Sequence, residues 1–270
     1  MRTGDVVLDA GTRLGPPQIA AVAAAGAATV IVHRRPRVGV LVTGQELVAV
    51  DAEPGAGQIR NSNGYGLIAL VQEAGCRAVD LGVADDDRAS LAERIEAGLA
   101  CDVLCTTGGI SMGQYDLVPD VLRDHDVRFG FRKVKVKPGK PTIFGVASNG
   151  GYVFALPGNP VSCFVGFWLY IAPLLRALQG GSAAPPAELA ARLHGSLRSG
   201  GGRLAYIPAN LWVAADGHLE ATPVAWHGSG DPFGLARANG LIVREPSGKL
   251  AESGTPIRVL PLSLWNRTDA

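Results

Sequence analysis

The chain has 270 residues, 36 of them glycine and 18 proline, with 47% hydrophobic and 18% charged side chains. That balance is too apolar for disorder and points to many short elements joined by tight turns. Charge is level, 25 Lys and Arg against 24 Asp and Glu for a net +1. This excludes the broad basic field of a nucleic-acid binder, so an anionic ligand has to be met by a local cluster.

Cys76, Cys101, Cys105 and Cys163 are too few and too scattered for a disulfide framework or a zinc site. They read as buried thiols in a reducing cytosol. The start lacks the pattern of a signal peptide, and the longest apolar stretches, 19–32 and 164–175, fall short of the ~20 residues of a membrane span. The expectation is a soluble cytoplasmic protein with neither a membrane nor a nucleic-acid partner.

In chain order, residues 4–14 are turn-rich, 16–25 form an Ala-rich helix and 29–32 a short strand. Residues 1–36 carry too little apolar surface for a core of their own and read as the remnant of a preceding domain. From residue 37 the pattern alternates. The apolar run 38–43 predicts a strand buried on both faces. A helix over 63–73, a strand at 78–81, a helix over 88–100, a buried strand at 102–106 and a helix over 117–124 follow. Strands at 142–146 and 152–156 pair around Asn149-Gly150-Gly151, and a long apolar helix spans 161–178. Such alternation predicts a doubly wound, mostly parallel α/β sheet over 37–180. Residues 179–186 are a linker by composition. Beyond them, short strands at 192–197, 203–207, 211–213, 219–224, 241–244 and 257–260 predict a small all-β barrel over 187–270, with turn chemistry at Asp216-Gly217 and Asn239-Gly240.

Ligands of an open parallel sheet bind beyond the carboxyl ends of its strands. The loop 106–116 follows one such strand. Its residues Thr107, Gly108, Gly109, Ser111 and Gly113 offer close backbone approach and hydroxyl donors, and Asp116 stands before the next helix, where it could also serve as a cap. Pro157-Gly158-Asn159-Pro160 is a rigid loop ending in Ser162; Asn159 could equally be a simple helix cap. Glu46 is the acid at the exit of the first buried strand. Lys133, Lys135, Lys137 and Lys140 crowd into eight residues, with Val134 and Val136 facing the other way, and could present ammonium groups to phosphates. Asp85-Asp86-Asp87 precede a helix; one suffices as a cap, and magnesium takes one or two carboxylates with phosphate oxygens. The five histidines are scattered, and neither GxGxxG nor a P-loop occurs. These features point to a phosphorylated substrate and metal assistance without naming either.

Six segments in order carry a resemblance: Thr43-Gly44-Gln45-Glu46-Leu47, Gly57 to Asn63 (GQIRNSN), Thr106 to Asp116 (TTGGISMGQYD), Lys137 to Pro141 (KPGKP), Pro157 to Ser162 and Gly228-Ser229-Gly230. Together they resemble the molybdopterin molybdenumtransferase (MoeA) family, which includes the E domain of gephyrin. The resemblance implies insertion of molybdate into the dithiolene of adenylylated molybdopterin, with Mg2+, releasing AMP and molybdenum cofactor. It implies that Thr107, Gly108, Gly109, Ser111, Gly113, Lys137, Lys140, Pro157, Gly158, Asn159, Pro160 and Ser162 hold the pterin and its phosphate. It further implies that Glu46, Asp86 or Asp87, and Asp116 supply acidic functions, Glu46 and Asp116 at the metal. A homodimer and an adenylyltransferase partner of the same pathway belong to the same expectation. The chain matches the later part of the family, without its N-terminal lobe. Two other readings stay open, a molybdopterin adenylyltransferase and a pterin carrier without insertion activity.

Overall fold

The computed structural model describes every residue except 1, 3, 86, 111–116, 200, 247–248 and 263–270. A short helix, α1 (Pro16–Ala24), buries none of its residues. The expected strand at 29–32 does not form: Val30, Ile31 and Val32 are exposed, and among the described residues no strand pairs with them. β-propensity without a partner ladder is insufficient to make a strand.

From Arg37 the alternation is as expected: β1 (Arg37–Thr43), a small parallel pair β2 (Leu47–Val48) and β3 (Ile59–Arg60), α2 (Asn63–Glu73), β4 (Arg77–Ala84), α3 (Arg88–Leu99), β5 (Val103–Thr107), α4 (Leu117–Asp124), β6 (Arg128–Phe131), β7 (Val136–Lys137), β8 (Ile143–Val146) and β9 (Tyr152–Leu156). The main sheet has the order β4-β1-β5-β9-β8-β6. Its first four strands are parallel, and β8 and β6 complete it by antiparallel pairing.

Helices cover both faces. Leu67, Leu70 and Val71 of α2 pack with Val38, Val40 and Cys105 on one side. Leu91 and Ile95 of α3, with Val118, Val121 and Leu122 of α4, pack with Leu41, Leu104 and Val153 on the other. The long helix is α5 (Pro160–Gly166), a π turn at Phe167–Ile171, then α6 (Ala172–Leu178). Pro173 lacks the N–H that the Leu169 carbonyl would accept in an α-helix, and the π turn takes up that mismatch. This 19-residue stretch is long and apolar enough to cross a membrane, yet 61% of its most apolar window is buried inside the molecule, as befits a core helix.

The C-terminal part comprises β10 (Leu189–Leu193), β11 (Leu204–Val213), β12 (Leu219–Pro223), α7 (Pro232–Ala236), β13 (Gly240–Arg244) and β14 (Pro256–Pro261). Strands β12, β10, β14, β13 and β11 close into a ring through the β12–β11 pairing. The expected strands 203–207 and 211–213 are one strand, because Pro208 falls where β11 changes neighbours, between its pairing with β7 and its pairing with β12. The expected strand 192–197 lies earlier, at β10, and Leu197 makes only an isolated bridge to Ala251. Side chains alternate across the ring. Leu193, Ala209, Ala221, Ile242, Ala251 and Val259 fill its inside. Tyr206, Leu241, Val243 and Leu260 point outward into the core shared with Phe167, Ile171 and Leu175.

The chain enters the sheet under an ion pair. Asp102 accepts two hydrogen bonds from the Arg34 guanidinium (2.6 and 2.5 Å) and one from the Arg37 backbone N–H (2.7 Å). The Arg34 contact, followed by the Arg37 N–H, holds the Asp102 carboxyl below the usual carboxylate range against the opposing effect of burial. This stabilisation is complete above the unfolded-state pKa of roughly 4 and fades as pH falls from there through the lower folded-state value. Asp102→Ala should cost about 1–2 kcal/mol at pH 7. In denaturant titrations its deficit should shrink progressively below pH 4.

Candidate functional site

Because β4, β1, β5 and β9 are adjacent and parallel, their exits share one edge: Thr43 stands opposite Ala84, Val42 opposite Thr107, and Thr107 opposite Leu156. Asp85 and Asp87 at the β4 exit, the Glu46 turn, the 107–110 loop and the Pro157–Asn159 loop therefore stand side by side.

The centre of this edge is interlocked. Asn63, at the start of α2 and 7% exposed, donates from Nδ2 to Thr107 Oγ1 (3.1 Å) and to the Gly158 carbonyl (2.8 Å). Thr107 Oγ1 in turn donates to the Pro157 carbonyl (3.0 Å). The Thr107 hydroxyl, expected to meet a ligand, is thus buried and holds loops together. Cys163 lies against it, and burial raises that thiol to about 12. All four cysteines are buried free thiols. Gly108 (φ +95°) and Gly109 (φ +61°) pass so close to β1 that a Cβ on Gly108 would lie 2.1 Å from the Thr43 carbonyl oxygen. Gly158 lies against the Gly108 Cα, 3.5 Å from where its own Cβ would be. Thr43 Oγ1 and Asn63 Oδ1, both buried, have no hydrogen-bond partner among the described residues.

The acids are arranged differently from one another. Glu46 is exposed in the turn after β1 and folds its carboxylate back over Gly44. Asp87 caps α3, accepting from Ala89 N–H and Ser90 N–H, both at 2.9 Å. Asp86, Ser111, Gly113 and Asp116 lie outside the described residues. Among the described residues, no three His, Cys, Asp or Glu side chains converge as a metal site.

Beside this edge opens a cleft of about 500 Å³ between the sheet and the barrel. It is lined by Lys137, Lys140, Pro157, Asn159 and Ser162, all expected from the sequence, and also by Arg203, Trp226, Gly228 and Ser229 from the C-terminal part. Lys133, Lys135 and Lys137 are exposed while Val136 is buried, as the alternation implied. Asn159 occupies the cap position of α5 without using its side chain there. Pro160 opens α5 and stands behind the cleft wall. Glu46, Asp87, Gly108 and Gly109 are not among the cleft residues; the Pro157–Asn159 loop joins the two groups.

The lysine loop is held from both sides. Val134 N–H donates to the Lys140 carbonyl (2.9 Å), Thr142 Oγ1 to the Gly139 carbonyl (2.7 Å), and β7 pairs with Leu204 and Ala205 of β11. Arg203 Nη1 donates to the Val136 carbonyl (3.1 Å). Two lysines and one arginine thus face one cleft with two serines and a carboxamide, a donor set suited to a compact oxyanion. Trp226 adds an apolar wall. Sequence reasoning missed Arg203 and Trp226, since only the barrel's docking brings them near the lysine loop.

Residues 39–177 match the family described as a probable molybdopterin binding domain, and residues 190–262 match the MoeA C-terminal region, domain IV. A molybdopterin molybdenumtransferase of Nostoc is 35% identical over 268 residues, covering 97% of this chain and 61% of that protein. Its counterpart in Haemophilus influenzae is 32% identical, covering 97% and 65%. The crystal structure of a molybdopterin biosynthesis MoeA protein from Pyrococcus horikoshii superposes with a TM-score of 0.81 at 32% identity, over 96% of this chain and 62% of that one. The chain therefore spans less than two thirds of the length of these relatives.

The glycine contacts make a paired test. Gly108→Ala drives a methyl into the Thr43 carbonyl and should cost more than about 2 kcal/mol. Gly150, at φ +85° in the β8–β9 turn, has nothing within 4 Å of an added Cβ. Gly150→Ala should cost only about 1 kcal/mol, from backbone strain alone. Urea denaturation of the two variants separates collision from conformation.

Proposed function

The chain belongs to the MoeA family of molybdopterin molybdenumtransferases, and on that premise we propose that it inserts molybdate into adenylylated molybdopterin with release of AMP. The observation that carries this reading is the cleft. Lys137, Lys140 and Arg203 supply positive charge, and Ser162, Ser229 and Asn159 supply directional hydrogen bonds, for a tetrahedral oxyanion about the size of phosphate. In a chain of net charge +1, so local a cationic site suits a small anionic substrate.

In this reading the oxyanion sits among the three cations, and the pterin and its phosphates extend along the Pro157–Asn159 loop toward Gly108 and Gly109. The two glycines present backbone where any side chain would collide with β1. Thr43 Oγ1 and Asn63 Oδ1, unmet among the described residues, are acceptors for donors on a ligand edge. Magnesium takes one or two carboxylates together with water and phosphate oxygens. Glu46 is an exposed acid at the strand exits available for it, and Asp116 is the second ligand we infer; Asp87 is committed to its cap. When bound, the ion would neutralise charge on the substrate phosphates.

We infer the division of the chain as a segment at 1–36, an α/β domain over 37–180 and a barrel domain over 187–270, supported by separate apolar clusters in the sheet and in the ring. β7 is the exception, a strand of the second unit supplied by the first. A cytoplasmic location agrees with the buried free thiols. A homodimer and contact with a molybdopterin adenylyltransferase complete the reading, supported by the family resemblance.

The decisive measurement is AMP release from adenylylated molybdopterin with magnesium. Release that requires molybdate is the expected result. Tight pterin binding without release would instead make the chain a carrier. Lys140→Gln and Arg203→Gln should each weaken molybdate binding about tenfold, since each removes one charged donor from the cleft. Calorimetric titration with molybdate alone checks this.

A further inference from the structure

On the barrel side the cleft is lined by Arg203 and by Trp226, Gly228 and Ser229, and one carboxylate sets the shape of the segment that carries the last three. Asp231 Oδ2 accepts the backbone N–H of His227 (3.0 Å) and faces the His227 ring Nδ1 (3.3 Å). Asp231 Oδ1 accepts the Gly234 N–H (2.9 Å), capping α7. The Asp231 N–H donates back to the Gly228 carbonyl (3.1 Å), at a bend where Gly228 has φ +104°. On the other side the Ser229 carbonyl accepts the Val161 N–H (3.0 Å) at the first turn of α5. The Asp231 side chain is 10% exposed, whereas that of His227 is 95% exposed.

A helix cap needs one of these contacts, the one to Gly234. The second oxygen does something else: it closes the segment on itself. We propose that Asp231 is a positioning residue for the cleft. It does not touch the ligand, but its Oδ2 fixes the bend that presents Trp226, Gly228 and Ser229 to the oxyanion opposite Lys137 and Lys140. The inference rests on the oxyanion reading of the cleft, and it assigns the barrel an active part in the site's geometry through a residue outside the cleft lining.

Serine separates the two roles of Asp231, because it caps a helix nearly as well as aspartate but has no second oxygen for His227. Asp231→Ser should melt within about 3 °C of the unaltered protein yet bind molybdate about tenfold more weakly by calorimetry. His227→Ala keeps the backbone N–H that Oδ2 holds and should bind within about twofold. If Asp231→Ser melts much lower, Asp231→Asn decides in its place. It retains an oxygen for Gly234 but sets an amino group against the His227 N–H, and the same tenfold loss is expected. Asp231→Ser, or Asp231→Asn where it decides, binding molybdate like the unaltered protein would overturn the inference. So would an equal loss in His227→Ala, which would place the effect in the ring. If the unaltered protein binds no molybdate, it is the oxyanion reading of the cleft that falls, and this inference with it.

Discussion

Two residues, Val136 and Lys137, belong to both halves of the molecule, and the cleft depends on that shared ownership. They arrive from the edge of the α/β sheet and are hydrogen-bonded as a strand of the β sheet that forms the barrel, against Leu204 and Ala205. The neighbouring Arg203 reaches the Val136 carbonyl. The loop that follows, with Lys140 at its end, is therefore placed by the barrel as much as by its own sequence. The docking is secured by apolar burial, since Tyr206, Leu241, Val243 and Leu260 face outward from the ring into the core around the long helix. Side chains that would be solvent-exposed on an isolated barrel are core here, and each contributes on the order of 2 kcal/mol of burial.

The other half of the site rests on a different constraint, the closeness of backbones. The β5 exit loop runs against the β1 exit with no room for a side chain at Gly108, and the β9 exit loop runs against Gly108 in turn. The hydrogen bonds from Asn63 and Thr107 lie beneath these loops, in low dielectric where breaking one is costly. Rigid loops lose little freedom when a ligand arrives, which makes their positioning useful for binding.

The α/β framework was legible because its signals are local. Continuous apolar runs marked β1 and β5, and fourfold spacing of Leu91, Ile95 and Leu99 marked α3. The failures have physical reasons of their own. The apolar run ending in Val30-Ile31-Val32 has the composition of a strand and, among the described residues, no strand paired with it. The strands expected at 203–207 and 211–213 run on as one, because Pro208 pairs with Leu241 of β13 on one edge and its missing N–H falls on the other edge, between the stretches paired with β7 and β12. α7 was invisible because it spans only five residues and shows no helical periodicity. At the site, the lysine and proline loops were legible by composition. Arg203 and Trp226 were not, since nothing in a strand-rich segment announces which residues will face a loop far earlier in the chain. Asp87 showed the reverse: an acid suggestive of chemistry turned out to satisfy backbone donors.

The inside of the ring bears on how this molecule can change. Five strands enclose little space, and Ala191, Ala209 and Ala221 at inward positions bring their backbones closer still, with Ala251 packed among them. Among the described residues that interior is taken up by packed side chains, Leu193, Ile242, Ile257 and Val259 among them. The barrel is a wall and never a vessel. New ligand preferences in this scaffold have to arise on its outer rim, where Arg203, Trp226 and Ser229 can be exchanged one at a time without disturbing the packing within.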